Sequence, residues 1–230
     1  MYPIRSNFAY KVFLNELLFL IHIPVIVGFS LLALRQGRCA LTAFIALQGV
    51  FANLFVVKQM NLFGFAVTCS DMYAVGGILS LNLLQEYFGK QAAQDAVKIS
   101  LAALVFFAVM SHIHLAYLPL QGEMTHEAFK IILGSSFRIA GASLLAFYLV
   151  QQADVRLFGL LKGALAFRVS ISLLCSQTLD TVLFSFLGLY GIVDSIGSVI
   201  LLSLLIKYIV VGISAPFVIF SKGVVKNVPV

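Results

Sequence analysis

The stretch 175–191, CSQTLDTVLFSFLGLYG, sets Gln177, Asp180 and Thr181 in a run otherwise rich in Leu, Val, Phe and Gly. The surrounding composition says what kind of helix would carry a carboxylate there. Hydrophobic residues make up 61% of the chain and charged residues 10%, and the mean hydropathy is +1.05. A soluble domain carries roughly 25% charged residues, so this chain is solvated by lipid.

Working outward from that run, seven apolar stretches can be read, approximately 13–34, 41–57, 62–84, 99–120, 131–150, 170–190 and 195–220. Each is near the roughly 20 residues that cross a hydrocarbon core of about 30 Å. None alternates as a membrane barrel strand does, and an unpaired backbone cannot sit in lipid, so each reads as a helix. The expected fold class is therefore an all-α membrane protein with seven transmembrane helices.

The basic residues orient it. One side of the seven-span arrangement collects Arg35, Arg38, Lys90, Lys98, Arg156, Lys162, Arg168, Lys222 and Lys226, and the other has only Arg5, Lys11, Lys58 and Lys130. The positive-inside rule then places the N-terminus outside and the C-terminus in the cytoplasm. The net charge of +6 reflects this topology and anionic lipid, because no basic stripe is interleaved with stacking aromatics as in a nucleic-acid binder. The first stretch is too long for a signal peptide and "LLALRQGR" offers no small-x-small cleavage site, so it reads as an anchor. Cys39, Cys69 and Cys175 are widely spaced and form no CxxC, which indicates buried thiols and neither a disulfide framework nor a zinc site. The longest hydrophilic connections, around 85–98, 121–130 and 151–169, are too short for a soluble core. The last, "QQADVRLFGLLKGALAFR", reads as the fifth helix continuing to a stop near Lys162-Gly163.

Enzymatic signatures fail on geometry. His112 and His114 in "SHIH" point to different faces of a helix. "EMTHEAFK" lacks the second His of a zinc-protease helix and reads as a cap at the mouth of the fifth helix. There is no GxSxG and no phosphate-binding loop, so neither acyl transfer nor ATP hydrolysis is supported, and neither a cofactor nor a metal is called for. The expectation is a protein that is not an enzyme.

What remains is a set of polar residues inside the spans. Taking 100° per residue from Asp71, Asn82 falls at about 20°, Gln85 at about −40° and Glu86 at about 60°, one stripe if Gly76-Gly77 does not break the helix. Ser172, Ser176 and Asp180 form an i, i+4, i+8 row, flanked by Gln177 and Thr181. The fifth helix brings Arg138 near its outer end and Gln151 and Asp154 near its inner end, with Ser143 on the same half as the last two. The second contributes Asn53 and the seventh Lys207. Each charged group at a helix centre costs roughly 2.5 to 3.5 kcal/mol on insertion, so Asp180, Lys207, Arg138 and Asp154 together cost on the order of 10 kcal/mol unless they face protein or water. Two readings follow. The groups pair as interhelical glue, Asp180 with Lys207, or they line a solute cavity at mid-membrane, which is the leading reading.

Three blocks, "ILSLNLLQEYFGKQAAQDA", "FRIAGASLLAFYLVQQADVRLFGLLK" and "SISLLCSQTLDTVLFSFLGLYG", in this order and separation, resemble the queuosine precursor transporter family, also called the vitamin uptake transporter family, over about residues 50–220. The resemblance implies a bacterial inner-membrane importer of deazaguanine bases, namely the cyano and aminomethyl precursors and queuine, for insertion into tRNA by another enzyme. It also implies a six-helix core, residues 41–220, similar to the binding components of energy-coupling-factor vitamin transporters. Residues 1–40 would then be an added N-terminal helix and 221–230 a cytoplasmic tail. By position, Asn53, Glu86, Gly89, Arg138, Ser143, Gln151, Asp154, Asp180 and Thr181 match the family's motifs. Asn82 stands where many members have Asp, and Gln177 where some have Asn or Gln. Motif matches and the polar residues inside the spans together give an expected substrate-binding set of Asn53, Asn82, Glu86, Arg138, Gln151, Asp154, Gln177, Asp180 and Lys207, and the chain's aromatics offer Phe184 and Tyr148 as ring-stacking candidates. The chemistry fits a guanine-like edge, whose adjacent N–H donors one carboxylate can accept and whose carbonyl an amide or Arg can meet. The implied partners are the deazaguanine solute and membrane lipid. The alternative is a binding component that needs partner transporter subunits, since the chain has no nucleotide motif of its own.

Overall fold

The computed structural model describes residues 4–134, 137–191 and 196–225. Side chains are described from Leu14 onward apart from Ala66, Phe137 and Ser198; Lys226 and the end of the 221–230 tail lie outside the described residues, as does Ser195, the first residue of the seventh expected span. The chain runs α1 (Ile4–Gln36), α2 (Arg38–Phe55), β1 (Gln59–Leu62), β2 (Phe65–Thr68), α3 (Asp71–Ala116), α4 (His126–Leu133), α5 (Phe137–Leu160), α6 (Leu165–Phe184), α7 (Ile196–Phe217) and α8 (Ser221–Val225). A π-turn, Ser185–Leu189, extends α6, and a 3-10 turn, Val218–Phe220, joins α7 to α8. Among the described residues the protein is helical and carries five helices long and apolar enough to cross a membrane, α1, α2, α3, α6 and α7, or six when α4 and α5, bent by 47°, are taken as one broken span.

α3 has 46 residues, which at 1.5 Å each would run about 69 Å, more than twice a hydrocarbon core. It does not run straight. Gly89 sits at φ 87, ψ 167 and breaks the helix. Asp71 and Ala74 before the break line the same cavity as Phe107 and Ser111 after it, so the two halves lie side by side. Gly76 and Gly77 leave the helix intact and buried, with Gln48 of α2 closing on Gly76 and donating to Ser80 at 3.2 Å.

The third apolar stretch is corrected at its start. Residues 62–68 are not helical but form most of an antiparallel hairpin with Gln59 opposite Thr68 and Leu62 opposite Phe65. Its turn holds Phe63 at φ 52 and Gly64 at φ 83, positive at both central positions as a tight hairpin turn requires. Leu62 and Val67 are buried under it. Window hydropathy merges such a strand with the helix that follows, because both are apolar. The fifth stretch also shifts: α5 runs to Leu160, close to the expected stop, and places Gln151 and Asp154 well inside it. The "EMTHEAFK" segment caps a separate short helix. Glu123 accepts from the N–H of Thr125 and of His126 and from the Thr125 hydroxyl, which holds its carboxyl below the usual range.

Candidate functional site

Three charged side chains meet where α3, α6 and α7 converge. Lys207 lies in the middle of α7 with 4% of its surface exposed, and such an ammonium is stable there only with partners. It donates to Asp180 Oδ2 at 2.8 Å and Thr181 Oγ1 at 3.0 Å, and Asp71 Oδ1 lies 3.8 Å away. Ser203 donates to Asp71 at 3.4 Å. Asp180 is the more open carboxylate, 27% exposed against 8% for Asp71.

These groups form one wall of a cavity of about 330 Å³, within the range of small-molecule sites. Asn53, Gln151 and Gln177 supply amides to it, and Tyr73, Phe107, Phe147 and Phe184 supply rings. The amides are partly committed. Asn53 donates to Gly49 O and accepts from Ser143 Oγ at 2.7 Å; Gln177 donates to Ala74 O at 3.1 Å. The Oε1 atoms of Gln151 and Gln177 are buried with no donor among the described residues. The hairpin reaches in with Gln59 and Thr68, and α4 with Ile132 and Leu133.

Of the nine sequence-derived candidates, Asn53, Gln151, Gln177, Asp180 and Lys207 therefore line the cavity, and four do not. Arg138 donates to Leu187 O at 3.1 Å and Tyr190 O at 2.7 Å, satisfying carbonyls at the end of the π-turn. Glu86 is held by Arg168 at 2.7 Å, and that guanidinium stands 4.3 Å from the Phe158 ring centroid. Asp154 and Asn82 are fully buried away from the cavity surface. Among the stacking candidates Phe184 lines the cavity and Tyr148 does not.

Sequence reasoning placed Asp71 on the polar stripe but left it out of the site, and it missed Gln59 and Tyr73. Asp71 stands at the first position of α3, where an acid reads as a helix-start residue, so composition alone had a sufficient explanation for it. The "NLFGFAVT" turn signal could have revealed the hairpin and with it Gln59. Among the described residues no three His, Cys, Asp or Glu side chains converge to hold a metal.

Membrane-length helices around a cavity that is largely apolar, with one charged cluster on its wall, define a multi-pass membrane protein. The chain belongs to the transporter family described as "Putative vitamin uptake transporter", which matches residues 68–221. It is also similar to the "Probable queuosine precursor transporter" of Bacillus subtilis (strain 168), with 29% identity over 200 residues, 83% of this chain and 87% of that protein. No solved structure matches it.

Proposed function

We propose that this transporter imports queuosine precursors, deazaguanine bases or queuine, across the bacterial inner membrane for salvage into tRNA, and that the cavity is its binding site. The observation that carries the reading is the Asp71–Lys207–Asp180 cluster opening on about 330 Å³ of space walled by amides and rings. A flat bicyclic base needs rings to stack on, a carboxylate for its adjacent N–H donors and an amide for its carbonyl. Asp180, as the more open carboxylate, takes the N–H edge, and Gln151 or Gln177 meets the rest. Two carboxylates against one ammonium favour a solute that brings a positive charge, so the aminomethyl base is preferred over the neutral cyano base. The similarity to a probable queuosine precursor transporter of Bacillus subtilis supports this solute class.

Seven crossings go with this reading. The folded-back α3 counts as two, the bent α4–α5 pair as one, and residues 41–220 form the six-crossing core. Uptake by the purified chain alone in proteoliposomes is the test, with each labelled base in turn. Accumulation without partner subunits is expected. Binding without uptake, restored only by added ATPase and membrane partners, would transfer the chain to the binding-component class; no binding of any base would remove the substrate assignment.

A further inference from the structure

Asp154 is a carboxyl with no surface exposure, set within α5 and outside the cavity. Ser172 and Ser176, one turn apart on α6, both donate to its Oδ1, at 2.5 and 2.7 Å. Its Oδ2 meets no donor among the described residues, and none of the described ion pairs includes Asp154. On the helices packed against α5, Glu86 of α3 and Arg168 of α6 pair with each other at 2.7 Å. On α5 itself Arg156 is exposed, and Lys207 is engaged by Asp71 and Asp180.

The surroundings are supplied with unused amide atoms. Gln85 donates to Val155 O at 2.9 Å, which sets position 85 level with 155. α2 touches α3 at Gln48–Ser80 and α5 at Gly49–Phe147, which sets 80 level with 147. The two helices therefore run the same way, and Asn82 lies level with the turn of α5 that carries Gln151. Both polar atoms of Asn82, and the Oε1 of Gln85 and of Gln151, are buried without a partner among the described residues. A lone ionised carboxylate in such a place is expensive to desolvate. The acid form carries a proton on Oδ2 and removes that buried charge.

We infer that Asp154 is a proton-binding site, one turn of α5 from the cavity, whose protonation and release couple solute movement to the proton gradient. The step is an addition of one proton to Oδ2 and its later loss, with Ser172 and Ser176 holding Oδ1 throughout. This inference rests on the transporter reading above, because coupling presupposes a transported solute.

Two measurements test it. In the purified protein, the infrared C=O band of a buried carboxylic acid should be present near neutral pH, disappear at alkaline pH, and be absent from Asp154→Asn. In proteoliposomes, wild type should concentrate labelled aminomethyl deazaguanine when the outside is acidic. Asp154→Asn, a shape match for the acid, should still exchange the base across the membrane while its accumulation ratio falls to about one. Ser176→Ala removes a donor that favours the ionised form, so it should move the pH profile of uptake to the alkaline side. A missing acid band, Asp154→Asn that accumulates like wild type, or uptake driven by sodium and indifferent to pH overturns the proposal. If wild type binds no base, the solute assignment falls, while the infrared band still decides whether Asp154 holds a proton.

Discussion

Lys207 is the ammonium on which the buried Asp71 and the half-buried Asp180 depend, and the order of effects among substitutions follows from their distances. Lys207→Met strands Asp71 and Asp180 together, and breaking a buried pair by removing one partner costs about 3–5 kcal/mol. Folded yield in detergent, followed by size-exclusion chromatography, should collapse. Asp180→Asn leaves Lys207 with Asp71 at 3.8 Å and the Thr181 hydroxyl at 3.0 Å, so its yield should stay near wild type. Its uptake of a deazaguanine should fall about tenfold to a hundredfold, since a hydrogen bond to a charged group contributes about 1.5–3 kcal/mol. Combining Lys207→Met with Asp71→Asn and Asp180→Asn should return the yield without returning uptake. If Asp180→Asn alone aggregates as badly as Lys207→Met, the carboxylate is interhelical glue and the binding role is lost.

At the level of elements, the reversal at Gly89 brings the two halves of α3 onto one cavity. Its φ of 87 and ψ of 167 lie in a region open to glycine and strained for other residues, at about 1–3 kcal/mol. A Cβ there would meet no atom within 4 Å, so the penalty is conformational and independent of side-chain size. Gly89→Ala and Gly89→Ser should therefore lower Tm by the same amount and reduce folded yield alike. A loss that grew from Ala to Val in proportion to volume would point to packing and against this account. Arg138 works on the same scale: it caps the π-turn that ends α6, a role indistinguishable in sequence from that of a solute-binding guanidinium.

For the whole molecule, the nine basic residues on one side of the seven-crossing arrangement against four on the other predict a cytoplasmic C-terminus and an external N-terminus. A reporter fused after Val230 should report cytoplasm, and a tag before Met1 should be labelled from outside. Both ends on one side would require an even number of crossings and would sink the arrangement. The apolar exterior agrees with a lipid-facing surface: Phe29, Phe106 and Leu201 are all more than half exposed, where water would penalise them.

Composition and periodicity are local quantities, and they were enough to determine that the chain lives in lipid, where its helical runs lie and which side chains sit uncomfortably inside them. Asn53, Gln151, Gln177, Asp180 and Lys207 were legible for that reason, as was the Asp180–Lys207 pair. The resemblance carried the family. The partners of Arg138, Glu86, Asp71 and Asp154 were not legible, because they depend on how far each helix is rotated and slid against its neighbours. In a membrane both the lipid-facing and the protein-facing sides of a helix are apolar, so hydropathy does not record that rotation. The hairpin escaped for a related reason, since its residues are as apolar as the helix they precede. Only the tertiary structure could bring Asp71 to Lys207 across more than a hundred residues and set Asp154 apart from the cavity.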